Sequence, residues 1–394
     1  MSGTLLIVGG GLTASQDEVF SALIEKAGGA ENARIAFILT ASGENPDELF
    51  RSYRSDLVRL GLREEQVLLV PIYAPHVLDE RGYNAVTGDA EGLPDCLEGV
   101  TGVWFTGGDQ YFTHQCLLRR DGSDTALLAR LRELYESGGV IGGSSAGAAI
   151  MSRVMIGSGN DRGILTHPVV WGYADYDAQC EADDPCEPLI LARGLGFFPE
   201  GVVDQHFNKR PRMLRLIEAC LSNTEGFRVG YAVSEDTALV YHAGRFTVLG
   251  SAGVYVADCR GAVRLGAGNY RGVVMHALHR GDGFDCRSLR ASMARESPER
   301  DCDFFPDYVS GGMLHSPLFD DMIEKRLLRA KDGAAPINGE GLPCVRGAEI
   351  SDLHGETAIT VAEYVLRPET RGYRGAHASF TELGLNILSK KIEL

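Results

Sequence analysis

Apolar runs of strand length alternate with segments of helical period from the first residues onward. TLLIVGG reads as a strand stopped by glycine, and DEVFSALIEKAGG as a helix closed by a glycine pair. The same alternation continues through ARIAFILTASG, a strand, and ELFRSYRSDLVRLGL, a helix. QVLLVPIY and TGVWFTGGDQ add two strands, TALLARLRELYESGG a helix, and GGVIGGSS a short strand that runs into AGAAIMSRVM, read as the start of a helix. Strands alternating with helices in this way predict a parallel sheet covered on both faces, a doubly wound α/β domain.

After residue 225 the pattern changes. YAVSEDTALVYHAGRFTVLGSAGVYVADCRGAVRL predicts successive antiparallel strands with turns at HAGR and CRGA, extending or flanking the sheet. Residues 281–350 are rich in Gly, Pro, Asp and Arg and predict loops and short helices, and VRGAEISDLHGETAITVAEYVL recovers strand character. No repeat or linker divides the chain. It is read as one domain, with 291–394 as a C-terminal extension packed on it.

Composition narrows the setting. With 44% hydrophobic and 23% charged residues the chain is an ordinary globular one, and no apolar run is long enough for a spanning helix. The start, MSGTLLIVGGGL, lacks the basic region and cleavage site of a signal peptide, so a cytoplasmic location is expected. A net charge of −16 disfavours nucleic acid as a partner. The 9 cysteines lack a CxxC pair, which predicts reduced thiols and no zinc cage. His276 and His279 in GVVMHALHR have the spacing of a metal pair on a helix, but the alternation there predicts a strand. No metal and no cofactor are expected.

Within GGSSAGAAIM, Gly143-Ser144-Ser145-Ala146-Gly147 fits G-x-S-x-G, the elbow that sets a nucleophilic serine on a strained strand-to-helix turn. Only Ser145 has glycine two residues away on each side. The N–H of Ala146 then faces a developing oxyanion, helped by the helix N-terminus. FTGGDQ ends another strand of the same sheet. Its Gly107 and Gly108 allow close backbone approach and a second oxyanion donor, and Gln110 offers an amide to a polar substrate. His206, in VVDQHFNKRPRMLR, stands at a strand end beside Lys209, Arg210, Arg212 and Arg215, which suits a general base in an anion-binding cleft. The acidic pair Glu235 and Asp236 interrupts an apolar run, and a carboxylate there needs a partner such as His206.

GGSSAGAAIMS, FTGGDQ, GLGFFPEGVVDQHFNKRPRMLRL and VSEDTALV, in this order, resemble the cyanophycinases and the wider family of aspartyl dipeptidase-like serine peptidases. The resemblance covers residues 1–290. It implies a flavodoxin-like sheet related to class I glutamine amidotransferases, with serine in place of their cysteine. It further implies cleavage of cyanophycin, a β-aspartyl-arginine polymer, to β-Asp-Arg dipeptides by a homodimer. Carried over by motif, Ser145 is the nucleophile, His206 the base and Glu235 the acid. Gly108 and Ala146 become the oxyanion donors, and Gln110, Gln205, Arg210, Arg212 and Arg215 line the substrate cleft.

The chain departs from the pattern in VVWGYADYDAQCEADDPCEPLI, an insertion between Ser145 and His206 that reads as a solvated acidic loop or as carboxylates offered to substrate arginines. Two other readings stay open. One is a dipeptidase for aspartyl or isoaspartyl peptides, the other a silent amidotransferase-like subunit that only binds.

Overall fold

A computed structural model of the protein describes residues 2–173, 186–210, 212–294, 344–353, 356–373 and 379–392. Strands β1 (Thr4–Val8), β2 (Ile35–Ile38), β3 (Val67–Leu69), β4 (Gly102–Phe105) and β5 (Val140–Ser144) are parallel, in the spatial order β1-β5-β4-β2-β3. Their uniformly apolar sequences follow from burial on both faces. Leu5, Ile7, Ala36, Ile38, Val103, Phe105 and Ile141 pack on one side with Leu127, Leu128 and Leu131 of the helix Ala126–Glu136. The alternate residues Leu6, Val8, Ile35, Phe37, Trp104 and Val140 pack on the other side. They meet Phe20 and Leu23 of the helix Gln16–Lys26 and Leu57 of the helix Pro46–Arg59. A sheet wound on both faces is the arrangement that the alternating pattern predicts, and it agrees with the flavodoxin-like sheet that the resemblance implies.

One predicted helix is mostly absent. AGAAIMSRVM yields a single helical turn, Ala146–Ala149, after which the chain extends into β6 (Val154–Ser158). Val154 and Ile156 point into one core and Met155 into the other, so VMIGS satisfies a two-residue period that a helix would violate. β6 forms a small sheet with β7 (Val170–Trp171) and β8 (Ile190–Arg193).

The remaining strands are β9 (Val202–Asp204), β10 (Val229–Val233), β11 (Thr237–His242), β12 (Arg245–Gly250), β13 (Val254–Asp258), β14 (Val263–Gly266), β15 (Asn269–Leu278), β16 (Gly283–Asp285), β17 (Arg290–Ser292), β18 (Cys344–Leu353), β19 (Glu356–Tyr373) and β20 (Ser379–Ile392). They do not simply extend one sheet. β11, β12, β16 and β17 run antiparallel beyond β1 and complete a 9-stranded sheet. β9, β10, β13–β15 and β18–β20 build a second, 8-stranded sheet, with β14 and β20 both hydrogen-bonded to β15. The apolar run YAVSEDTALVY is therefore cut at Ser234–Asp236, with β10 in one sheet and β11 in the other.

The stretch 281–350, expected as loops and short helices, contributes β16, β17 and the start of β18; residues 295–343 lie outside the described part. GVVMHALHR is strand through Leu278, and His276 and His279 are both buried. Burial pushes the His276 imidazole down to about 4. Among the described residues no cluster of His, Cys, Asp and Glu is arranged to hold a metal, and Cys96, Cys116, Cys186, Cys220, Cys259 and Cys286 are free thiols. Within the same residues no helix is long and apolar enough to cross a membrane.

Candidate active site

Ser145 follows the last residue of β5 with φ 56° and ψ −111°, a backbone region that a non-glycine residue occupies only when its surroundings force it. The two flanking glycines create that constraint. A Cβ on Gly143 would lie 2.4 Å from the Gly147 carbonyl oxygen, and one on Gly147 would lie 2.4 Å from that of Phe105. The elbow is held by Ser145 N–H donating to Val8 (3.0 Å). Ser144 remains in register with Val8 as part of β5, whereas Ser145 stands beyond the ladder.

Beside the elbow, His206 lies just past β9 and also has positive φ, 50°. Its Nε2 is 2.7 Å from Ser145 Oγ, and its Nδ1 is 2.6 Å from Glu235 Oε1. Burial pushes the His206 pKa below its ordinary value, and the nearby Arg210 and Arg212 cations push the same way, against the upward pull of the Glu235 hydrogen bond. A neutral imidazole results, able to accept the serine proton at neutral pH.

Glu235 sits where the chain leaves β10 for β11, so no sheet ladder takes its backbone groups. Its N–H donates instead to Asn208 Oδ1 (2.8 Å), and its carbonyl accepts from Thr237 Oγ1 (3.1 Å). The neighbouring Asp236 has another task. Its carboxylate accepts from Thr13 N–H, Ser15 N–H, Ser15 Oγ and Ser251 Oγ, and these bonds hold its pKa low despite burial. It fixes the crossing between sheets while Glu235 faces the histidine.

Both groups lean on Gly9-Gly10-Gly11 at the end of β1, which sequence reasoning passed over. Gly9 O accepts from His206 N–H (2.7 Å), and Gly10 O accepts from Asp236 N–H (2.8 Å). Gly10 has φ 104°, and a Cβ there would lie 2.3 Å from His206 Cε1. One on Gly11 would lie 2.8 Å from Glu235 Oε2. The signal was three consecutive glycines at the carboxyl end of a parallel strand, the edge where ligands bind.

Of the two expected oxyanion donors, Ala146 follows Ser145 in the chain and Gly108 follows Gly107. Gly107 approaches so closely that a Cβ would be 3.3 Å from Ser145 Cβ. Gly108, with φ 133°, is pressed against the Ala41 carbonyl, 1.9 Å from where a Cβ would stand. Among the described residues no protein acceptor takes the N–H of Gly108 or of Ala146. With only one helical turn behind Ala146, the local N–H groups rather than a helix macrodipole carry the attraction for an anion.

The five residues expected along the cleft separate into different roles. Gln110 opens the helix Gln110–Leu117, and its amide donates to the Gly157 carbonyl (2.5 Å) of β6, leaving Oε1 available. Gln205 is buried, and its Oε1 has no hydrogen-bond partner among the described residues. Arg210 is exposed beside His206. Arg212 is 6% exposed and donates to the Gln205 carbonyl, with Asp204 3.6 Å away. Burial and the adjacent Arg215 push its pKa down, against the upward pull of Asp204. Arg215 does not fit a cleft role. It is 4% exposed, its fork grips Asp204 through Nε and Nη2, and its Nη1 donates to Gly159. A buried cation must be paired, and this one is consumed by the interior. The acidic insertion cannot be placed, since residues 174–185 lie outside the described part; its first flank, Tyr173, packs against Tyr111 and His114.

The description "Peptidase family S51" matches residues 5–249. The chain belongs to peptidase family S51. All three residues of the Ser145, His206 and Glu235 arrangement fall inside the matched S51 segment. Similar proteins include a cyanophycinase from Synechococcus elongatus, 31% identical over 246 residues, or 62% of this chain and 64% of that one. Another, from Geminocystis herdmanii, is 30% identical over 267 residues, or 66% of this chain and 81% of that one. This S51 chain thus aligns with less than two thirds of the first relative's length. A peptidase from an acI-B1 Actinobacterium superposes with a TM-score of 0.47 at 20% identity, covering 72% of this chain and 97% of that chain.

Proposed function

We propose that this S51 peptidase releases β-Asp-Arg dipeptides from cyanophycin by an acyl-enzyme route. The unbroken relay from Ser145 Oγ through the His206 imidazole to Glu235 carries the reading. Ser145 Oγ attacks the scissile amide carbonyl while His206 Nε2 takes its proton, and the oxyanion collects between the N–H groups of Gly108 and Ala146. The imidazolium, stabilised by Glu235, returns the proton to the leaving amine. Water then adds to the acyl-enzyme by the same path and frees the product and the serine. Arg212, buried and sharing Asp204 with the more tightly bound Arg215, suits the carboxylate that each arginine of the polymer leaves free, because its planar fork matches it.

Incubation of the purified chain with cyanophycin, followed by mass spectrometry, tests this. Dipeptide release by wild type and none by Ser145→Ala is expected. Hydrolysis of aspartyl dipeptides with the polymer untouched would reassign the substrate, and no labelling of wild type by a fluorophosphonate would remove the serine chemistry.

A further inference from the structure

The loop carrying the base and the crossing carrying the acid belong to segments far apart in sequence, yet the relay needs them in fixed register. Three hydrogen bonds tie them together. Phe207 N–H donates to Val233 (3.3 Å), His206 Nδ1 meets Glu235 Oε1, and Glu235 N–H donates to Asn208 Oδ1 (2.8 Å). The first is long and the second is the catalytic contact itself. The third is the one that holds the Glu235 backbone without spending the reacting groups.

We infer that Asn208 is a positioning residue for the triad: it fixes the Glu235 main chain against the turn bearing His206, so that the carboxylate meets Nδ1 and the imidazole keeps its base nitrogen toward Ser145. The inference rests on the peptidase reading above. Glu235 lies between β10 and β11, outside both ladders, so its N–H depends on a side-chain acceptor. Asn208 is two residues from His206, within the turn that Lys209 N–H and Arg210 N–H close onto the His206 carbonyl. A shift of the turn therefore moves base and acid anchor together. A neutral amide also suits the place: aspartate would accept the same N–H, but its charge would favour the protonated imidazole and repel Glu235.

The test compares Asn208→Ala and Asn208→Asp with wild type. Three readouts are kcat and KM for dipeptide release, the rate at which a fluorophosphonate labels Ser145, and the low-field proton resonance of the His206–Glu235 hydrogen bond. For Asn208→Ala, kcat and labelling should fall together by about 10- to 100-fold with KM unchanged, the scale of a small misplacement of reacting groups. The resonance should broaden or vanish. Asn208→Asp should recover most of kcat while moving the acid limb of the pH profile upward. A loss in Asn208→Ala confined to KM, an unaltered resonance, or a loss that Asn208→Asp does not recover would overturn the inference. Should the alanine variant fail to fold, the aspartate variant decides alone: an unmoved acid limb would count against it. A wild type that shows the resonance, sensitive to position 208, but releases no dipeptide would sustain the geometric role and refute only the reaction.

Discussion

Adding one methyl group at Gly10 should damage catalysis far more than folding. In Gly10→Ala the new Cβ would sit 2.3 Å from His206 Cε1 and 2.7 Å from Nε2, where contacts below 3.0 Å essentially do not occur. Relieving the clash requires the ring to retreat by about 1 Å, a displacement that can cost on the order of a hundredfold in rate. Since Nε2 now stands 2.7 Å from Ser145 Oγ, a retreat of that size carries it out of hydrogen-bond range. The backbone adds its own cost, because φ is 104° and alanine in the left-handed region loses about 1–2 kcal/mol. Gly29→Ala separates the two effects. Gly29 also has positive φ, 78°, but a Cβ there meets nothing within 4 Å. The assay is kcat/KM for dipeptide release alongside thermal unfolding of both variants. Similar destabilisation of the two, with activity lost only in Gly10→Ala, is the expected outcome. Full activity in Gly10→Ala would show that the glycine loop does not constrain the histidine.

Two further predictions concern charge. Arg212→Ala should raise KM for polymer and cost less stability than Arg215→Ala, which should destabilise the protein by about 3 kcal/mol by taking the bidentate partner from buried Asp204 and leaving it only Arg212, 3.6 Å away. Denaturant titration with steady-state kinetics distinguishes them, and an unchanged KM in Arg212→Ala would remove its substrate role. The pH profile follows His206. Its protonated form cannot accept the serine proton, and burial disfavours that form, so activity should persist as pH falls through 6.5 and be lost only below it. Arg210→Gln removes a cation and should move this limb upward; a limb above 6.5 in wild type would refute the assignment.

The parallel half of the fold was readable because each strand is buried on both faces and each helix on one, so local pattern and tertiary environment agree. The strained turn at Ser145 was readable for a similar reason: its two glycines lie two residues to either side in sequence and meet each other in space. The helix expected after it was not, because AAIM does begin helical, and only the alternating demands of two cores turn VMIGS into a strand. Glu235 and Asp236 could not be told apart by composition, since each needs a partner. Their roles are set by Asn208 on one side and by Thr13, Ser15 and Ser251 on the other. Arg215 misled because four nearby cations look alike in sequence, while its place in the first turn of the helix Met213–Ser222 directs it at Asp204. Gly10 showed only its place in a glycine triplet at a strand end, and Asn208 carried no signal of its own, for the partners of both lie in residues distant along the chain.

Ser145 is carried by the first sheet, His206 follows a strand of the second, and Glu235 stands on the chain segment that passes between them. Under the proposed mechanism neither sheet owns a complete site. Catalytic competence is consequently a gauge of how well the two layers are seated on each other. On gentle heating or in mild denaturant, turnover should disappear while circular dichroism still reports intact strands and helices. A stabiliser that locks the seam, rather than one that strengthens either layer, is what would extend the working range of the enzyme.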